Sequence, residues 1–303
     1  MITSKRAKDG TALTVGHQGV MGCAPLLGLN MHPKWLGDGR AEDFLFPLRE
    51  AGLRVLEFTL NLSSPDWPGM SSLIEEGRRL GFRVTFHAPY KGPHNPAGFS
   101  GAKRDEVEEL YRPALAYAAR VAEEAGATIL VVHGAKGNPP REELRRDTRA
   151  FLAWIVEEFP SLRPCIELLV KEERANKIGD NKSELVEIVS GLSSPMVGIC
   201  WDLGHDARNG SVAAPPGFIT SVRHAHLHDI SPDGYDHSPL IFGSVPYMDH
   251  LRRLNQAGYR GAIVLEVNGY LVSRFAAAAG KHPFQIIQDN LSLLALLFGP
   301  PLQ

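Results

Sequence analysis

Short apolar runs of strand type alternate along the chain with amphipathic segments of helical type, the pattern of parallel strands joined by crossover helices. The strand-like runs lie at 26–31 (LLGLNM), 54–60 (RVLEFTL), 83–88 (RVTFHA), 127–133 (ATILVVH), 163–169 (RPCIELL), 196–202 (MVGICWD), 222–228 (VRHAHLH) and 262–267 (AIVLEV). Helical periodicity predicts segments at 41–51, 70–80, 103–125, 141–158, 181–190, 246–257 and 283–298. Several end in a glycine step, at Gly52, Gly81, Gly126 and Gly258, where a left-handed cap costs little. Eight strand-helix units predict an α/β fold closed as a single (β/α)8 TIM barrel. An open doubly wound sheet would usually carry a glycine-rich phosphate loop after its first strand, and no GxGxxG stands there. The barrel is expected over 25–303, with 1–24 as an irregular N-terminal extension.

Composition adds few constraints. At 303 residues, 44% hydrophobic, the chain can bury one large core. With 32 Lys and Arg against 34 Asp and Glu, no global field draws it to nucleic acid, and a small-molecule partner is the expectation. Cys23, Cys165 and Cys200 are too few and too scattered for a disulfide framework or a CxxC zinc site. The first 19 residues lack the apolar core of a signal peptide, and no run approaches 18 uninterrupted apolar residues. The expected setting is therefore cytoplasmic, with no membrane partner.

The chemistry-bearing residues are placed systematically. Barrel enzymes carry their reacting groups at the C-terminal ends of strands and in the loops that follow. Six of the 12 histidines stand there: His87, His133, His205, His226, His228 and His237. Asp202 ends the sixth run. Glu167 (CIELL) and Glu266 (IVLEV) are embedded in apolar strands without a nearby Lys or Arg, and an uncompensated carboxylate there costs several kcal/mol. Converging imidazoles and carboxylates suit a divalent metal. Glu57 (VLEFTL) has the same embedded look, and either orients a ligand, contacts substrate or is structural. His224, His226 and His228 share one strand face at period two.

The ordered series FHAPY (86–90), VVHG (131–134), IELL (166–169), WDLGHD (201–206), HLHD (226–229), DHSPLIFGSV (236–245) and GYRGAIVLEV (258–267) resembles the xylose isomerase-like barrel superfamily over about residues 25–298. That group holds sugar isomerases, ketose 3-epimerases, inosose and 3-dehydroshikimate dehydratases, and the endonuclease IV-like AP endonucleases. The resemblance implies one divalent cation, Zn, Mn, Co or Mg, on Glu167, Asp202, the strand-seven histidine and Glu266. His226 fits the H-x-x-D step, and His228, two residues on, is its competitor. In the isomerase and epimerase branch, Glu167 and Glu266 would then move a proton next to a carbonyl of a sugar or polyol, through a metal-stabilised enediolate. His205 would bind a substrate oxygen, and His228 stands where relatives contact substrate. Barrels of this kind often pair as homodimers.

The endonuclease IV branch implies instead a phosphodiesterase with a second or third zinc. His87 and His133 would hold the second with Glu167 as the bridge, and His205 and His237 the third. That third site expects an Asp two residues before its histidine, where this chain has Tyr235 with Asp236 shifted by one.

Overall fold

A computed structural model describes residues 25–31, 39–61, 67–123 and 126–298. The extension 1–24 lies outside the described residues, as does Cys23. Eight parallel strands close a barrel: β1 (Leu26–Met31), β2 (Leu53–Thr59), β3 (Arg83–His87), β4 (Thr128–Val132), β6 (Leu162–Glu167), β8 (Gly198–Asp202), β9 (Val222–Leu227) and β10 (Ala262–Leu265). Around the wall they run β1-β10-β9-β8-β6-β4-β3-β2. Two short strands, β5 (Lys136–Gly137) and β7 (Asn176–Lys177), pair antiparallel outside the barrel. The expected strand runs are all present, most shortened at their ends. His133, His228 and Glu266 consequently sit one residue past a strand instead of inside it.

The helices are α1 (Ala41–Glu50), α2 (Trp67–Arg79), α3 (Arg104–Glu123), α4 (Arg141–Glu158), α5 (Lys182–Gly191), α6 (Leu203–Arg208), α7 (Phe218–Ser221), α8 (Tyr247–Gln256), α9 (Gly269–Ala278) and α10 (Pro283–Phe298). Three of them, α6, α7 and α9, were not expected. Helices α6 and α7 are only six and four residues long; Asp202 caps α6, accepting from His205 N at 2.8 Å, and Asn268 caps α9, accepting from Tyr270 N at 2.9 Å. Gly52 and Gly258, at φ 95° and 71°, make the left-handed exits from α1 and α8.

Strand parity sorts the core. Side chains alternate between barrel interior and helix layer, so Leu56 and Phe58 of β2 join the main apolar cluster with the helices. Val55, Ala262 and Val264 form a separate interior cluster, as do Val131, Cys165 and Cys200. Moving two residues along each strand from that apolar floor, toward the C-terminal end, gives Glu57, His133, Glu167, Asp202 and Glu266. The same alternation that fills the barrel floor with small apolar groups therefore aims the ionisable residues inward at its mouth.

Candidate active site at the C-terminal mouth of the barrel

Glu167, Asp202, His226 and Glu266, from β6, β8, β9 and the residue after β10, each offer a ligand atom within 4.8 Å of the others. Nδ1 of His226 lies 3.0 Å from Oε2 of Glu266, 3.6 Å from Oε1 of Glu167 and 4.0 Å from Oδ2 of Asp202. Two ligands on one tetrahedral zinc, with bonds of about 2.0–2.1 Å, stand roughly 3.3 Å apart, and these separations bracket that value. Three of the atoms, Asp202 Oδ2, His226 Nδ1 and Glu266 Oε2, are buried without a hydrogen-bond partner among the described residues. Orphaned buried polar atoms are costly. Lone pairs aimed at one point are what a cation requires, so the residues present fit a divalent ion.

Electrostatics agree. Burial by itself would raise the Glu167 carboxyl, yet His133, His205 and His226 hold it well below the usual carboxylate range. Asp202 is likewise pushed down against burial, by His205 and His228. Burial lowers His205, but Asp202, Glu167 and Glu266 outweigh it and push the imidazole up to about 10. The site is a negative well that holds positive charge.

The neighbouring histidines have distinct tasks. His87 directs Nδ1 at the Ala88 carbonyl, 2.8 Å away, so that nitrogen carries the hydrogen and Nε2 faces Glu167 Oε2 at 3.1 Å. His133 Nε2 meets the same oxygen at 2.9 Å. These two imidazoles with Glu167 form a second cluster of metal-ligand type. His205 donates from Nδ1 to the Leu168 carbonyl at 3.1 Å. His228 Nδ1 lies 2.9 Å from the backbone nitrogen of His237 and 3.2 Å from the Asp229 carbonyl, and its Nε2 stands 3.1 Å from Oδ1 of Asp202. His228 therefore braces Asp202, whereas His226 directs a nitrogen at the cluster. Gly204 makes room for this: a Cβ there would fall within the His228 ring.

A cavity of about 290 Å³ opens above the cluster, lined by His87, His133, Glu167, His205, His237 and Glu266 among others. Asp202, His226, His228 and Glu57 are not among the residues that line it. Lys136 and Tyr90 join the wall. Asp236 lines it too and lies 3.6 Å from the Arg208 guanidinium. His237 adopts a left-handed backbone, φ 54°, uncommon for a residue with a side chain. Its loop is fastened by a residue that sequence reasoning missed. The buried Asp229 carboxylate accepts backbone N–H groups from Ile230, Phe242, Gly243, Ser244 and Val245, at 2.7 to 3.2 Å. The D of the HLHD string was the available signal, since a buried acid at a strand end before a glycine-containing loop calls for donors.

A family model described as xylose isomerase-like TIM barrel matches residues 46–295. The chain belongs to that family. An uncharacterized protein of Methanocaldococcus jannaschii is 27% identical over 209 residues, 64% of this chain and 67% of that protein. Among solved structures, a D-tagatose 3-epimerase-like protein is similar at TM-score 0.62 and 21% identity, over 89% of this chain and 98% of that one. The D-psicose 3-epimerase of Clostridium cellulolyticum H10, solved with D-tagatose, is similar at TM-score 0.64 and 13% identity, over 90% and 99%. At these identities the likeness to the solved structures is one of fold. Among the described residues no helix is long and apolar enough to cross a membrane.

Proposed function

We propose that this chain is a divalent-metal-dependent isomerase or epimerase, or a related dehydratase, of a sugar or polyol, working by proton abstraction next to a carbonyl. The observation that carries the reading is the convergence of unpartnered lone pairs from Asp202, His226 and Glu266, beside Glu167, under a polar cavity. Sugar 3-epimerases among the similar solved structures support the substrate class.

Glu167, Asp202, His226 through Nδ1, and Glu266 would hold the cation. A divalent ion there polarises a carbonyl and offsets charge building on adjacent oxygens. The chain supplies the proton chemistry. Glu167 and Glu266 both reach the cavity wall, from strands separated by β8 and β9. One takes the proton from carbon and the other returns it, which inverts or relocates it according to the carbon each faces. Glu266, with 15% of its side chain exposed against 1% for Glu167, is the more open of the two. His87 and His133 lie against the Oε2 edge of Glu167, and His205 offers Nε2 to a substrate oxygen.

A multi-zinc phosphodiesterase is the second reading, favoured by the His87, His133 and Glu167 cluster. Its third site fares worse. His205, His228 and His237 do group together, but His228 Nδ1 is taken up by backbone atoms of His237 and Asp229 and its Nε2 stands against Asp202.

The test is proton exchange. Purified protein with Mn, Co or Zn is incubated in deuterated water with a panel of ketoses, inososes and related polyols, in parallel with abasic duplex DNA. Deuterium entering a carbon position of one substrate supports the proposal. Efficient abasic-site cleavage, abolished by chelation and restored by zinc, replaces it with the second reading.

A further inference from the structure

Glu57 sits mid-strand in β2, wholly enclosed, and has no part in the cavity wall. A carboxylate buried to that degree must be fully compensated. Its Oε1 accepts from Asn30 Nδ2 at 3.2 Å and lies 3.0 Å from Nε2 of His226. Oε2 accepts from Thr85 Oγ1 at 3.2 Å and meets Nε2 of His224 at 2.7 Å. Strands β2 and β9 are not neighbours, since β1 and β10 stand between them. Glu57 therefore reaches across the barrel interior to clasp two histidines of one strand.

The consequence falls on His226, whose ring faces carboxylates on both sides: Glu57 at Nε2, and Glu266, Glu167 and Asp202 at Nδ1. A neutral imidazole carries one hydrogen, and its position decides which side receives the lone pair. We propose that Glu57 is a positioning residue that holds the hydrogen of His226 on Nε2, and so presents the Nδ1 lone pair to the cation cluster. The inference rests on the cation reading of that cluster. Glu57 Oε1 is closed to solvent, accepts from Asn30, and stands 3.0 Å from His226 Nε2, within reach of a hydrogen on that nitrogen.

Glu57, His224 and His226 could also be taken as a metal site in their own right. The geometry opposes it. The 2.7 Å between His224 Nε2 and Glu57 Oε2 is the length of a hydrogen bond, whereas two ligands on one zinc with bonds of about 2.0–2.1 Å stand roughly 3.3 Å apart. A shared proton fits there. This makes an arrangement of carboxylate, histidine and metal, in which the outer group fixes the ring and raises its basicity.

The experiment uses the full chain and cobalt(II) or zinc(II) as the probe. Cobalt affinity is titrated for wild type and Glu57→Gln, with the thermal midpoint of each metal-free protein recorded. Loss of the outer carboxylate should weaken binding by about 10- to 100-fold in a protein that still folds. A folded Glu57→Gln protein that binds cobalt within about twofold of wild type would overturn the proposal. Should the variant not fold, ¹⁵N-histidine NMR of the zinc-loaded wild type decides: His226 protonated at Nε2 and coordinated at Nδ1 upholds it, and coordination at Nε2 overturns it. Wild type that binds neither ion marks failure of the cation reading itself, a result distinct from the loss of affinity in the variant alone.

Discussion

Nδ1 of His226 and Oε2 of Glu266 stand 3.0 Å apart in the barrel mouth, and neither has a hydrogen-bond partner among the described residues. At that distance the pair calls for positive charge between the two atoms, a hydrogen or a cation. Asp202 Oδ2, also unpartnered, and Glu167 Oε1 face the same point.

Glu266→Gln retains shape and removes the negative charge. Turnover should fall by at least about 10³-fold, within the range for losing an acid-base group, while the thermal midpoint of the metal-free protein changes little. Steady-state kinetics alongside a melting curve checks both. A variant that keeps a tenth or more of wild-type turnover would remove Glu266 from the proton chemistry.

Gly204→Ala tests the brace beneath the site. The added methyl would occupy the His228 ring position, so His228 must leave Asp202 or the β8–α6 turn must open. Overpacking of a tight interior costs about 1–3 kcal/mol, and activity should fall together with stability. Denaturant unfolding and a turnover assay on the same preparation measure the pair. An unchanged denaturation midpoint with full activity would contradict the bracing role of His228.

Acid stability should depend on Asp206. Its carboxylate accepts from Trp201 Nε1 at 2.9 Å and lies 2.7 Å from Lys182 Nζ and 3.3 Å from His250 Nε2. Burial would raise its pKa, but His250, Lys182 and Trp201 together lower it. A carboxylate whose folded pKa is depressed contributes stability that is present above its unfolded pKa, about 4, and lost as pH falls through the folded value. Asp206→Asn should therefore be less stable at pH 7, by about 1–3 kcal/mol. The gap to wild type should narrow below about pH 4. Urea denaturation at both pH values reads it, and a gap independent of pH would contradict the assignment.

Much of this arrangement is legible in the sequence because it follows from local pattern. Period two along RPCIELL, ICWD, HAHLH and IVLEV puts Glu167, Asp202, His226 and Glu266 on the inward face at the strand ends. Other features depend on tertiary contacts. That His226 groups with Glu167, Asp202 and Glu266 while His228 Nδ1 meets backbone atoms of Asp229 and His237 emerges only when the barrel and its loop are assembled. Glu57 looked orphaned in its strand because its partners, His224 and His226, lie far along the chain and meet it only when the barrel closes. Helix α9 starts at the Asn268 cap, whose side chain accepts from Tyr270 N and Leu271 N.

Anomalous diffraction at the metal edge, from crystals grown with zinc or manganese, tests the central claim most directly. A principal peak is expected within ~2.0–2.4 Å of Glu167, Asp202, Nδ1 of His226 and Glu266. The absence of density between those four side chains, or an ion held by His228 in place of His226, would contradict it.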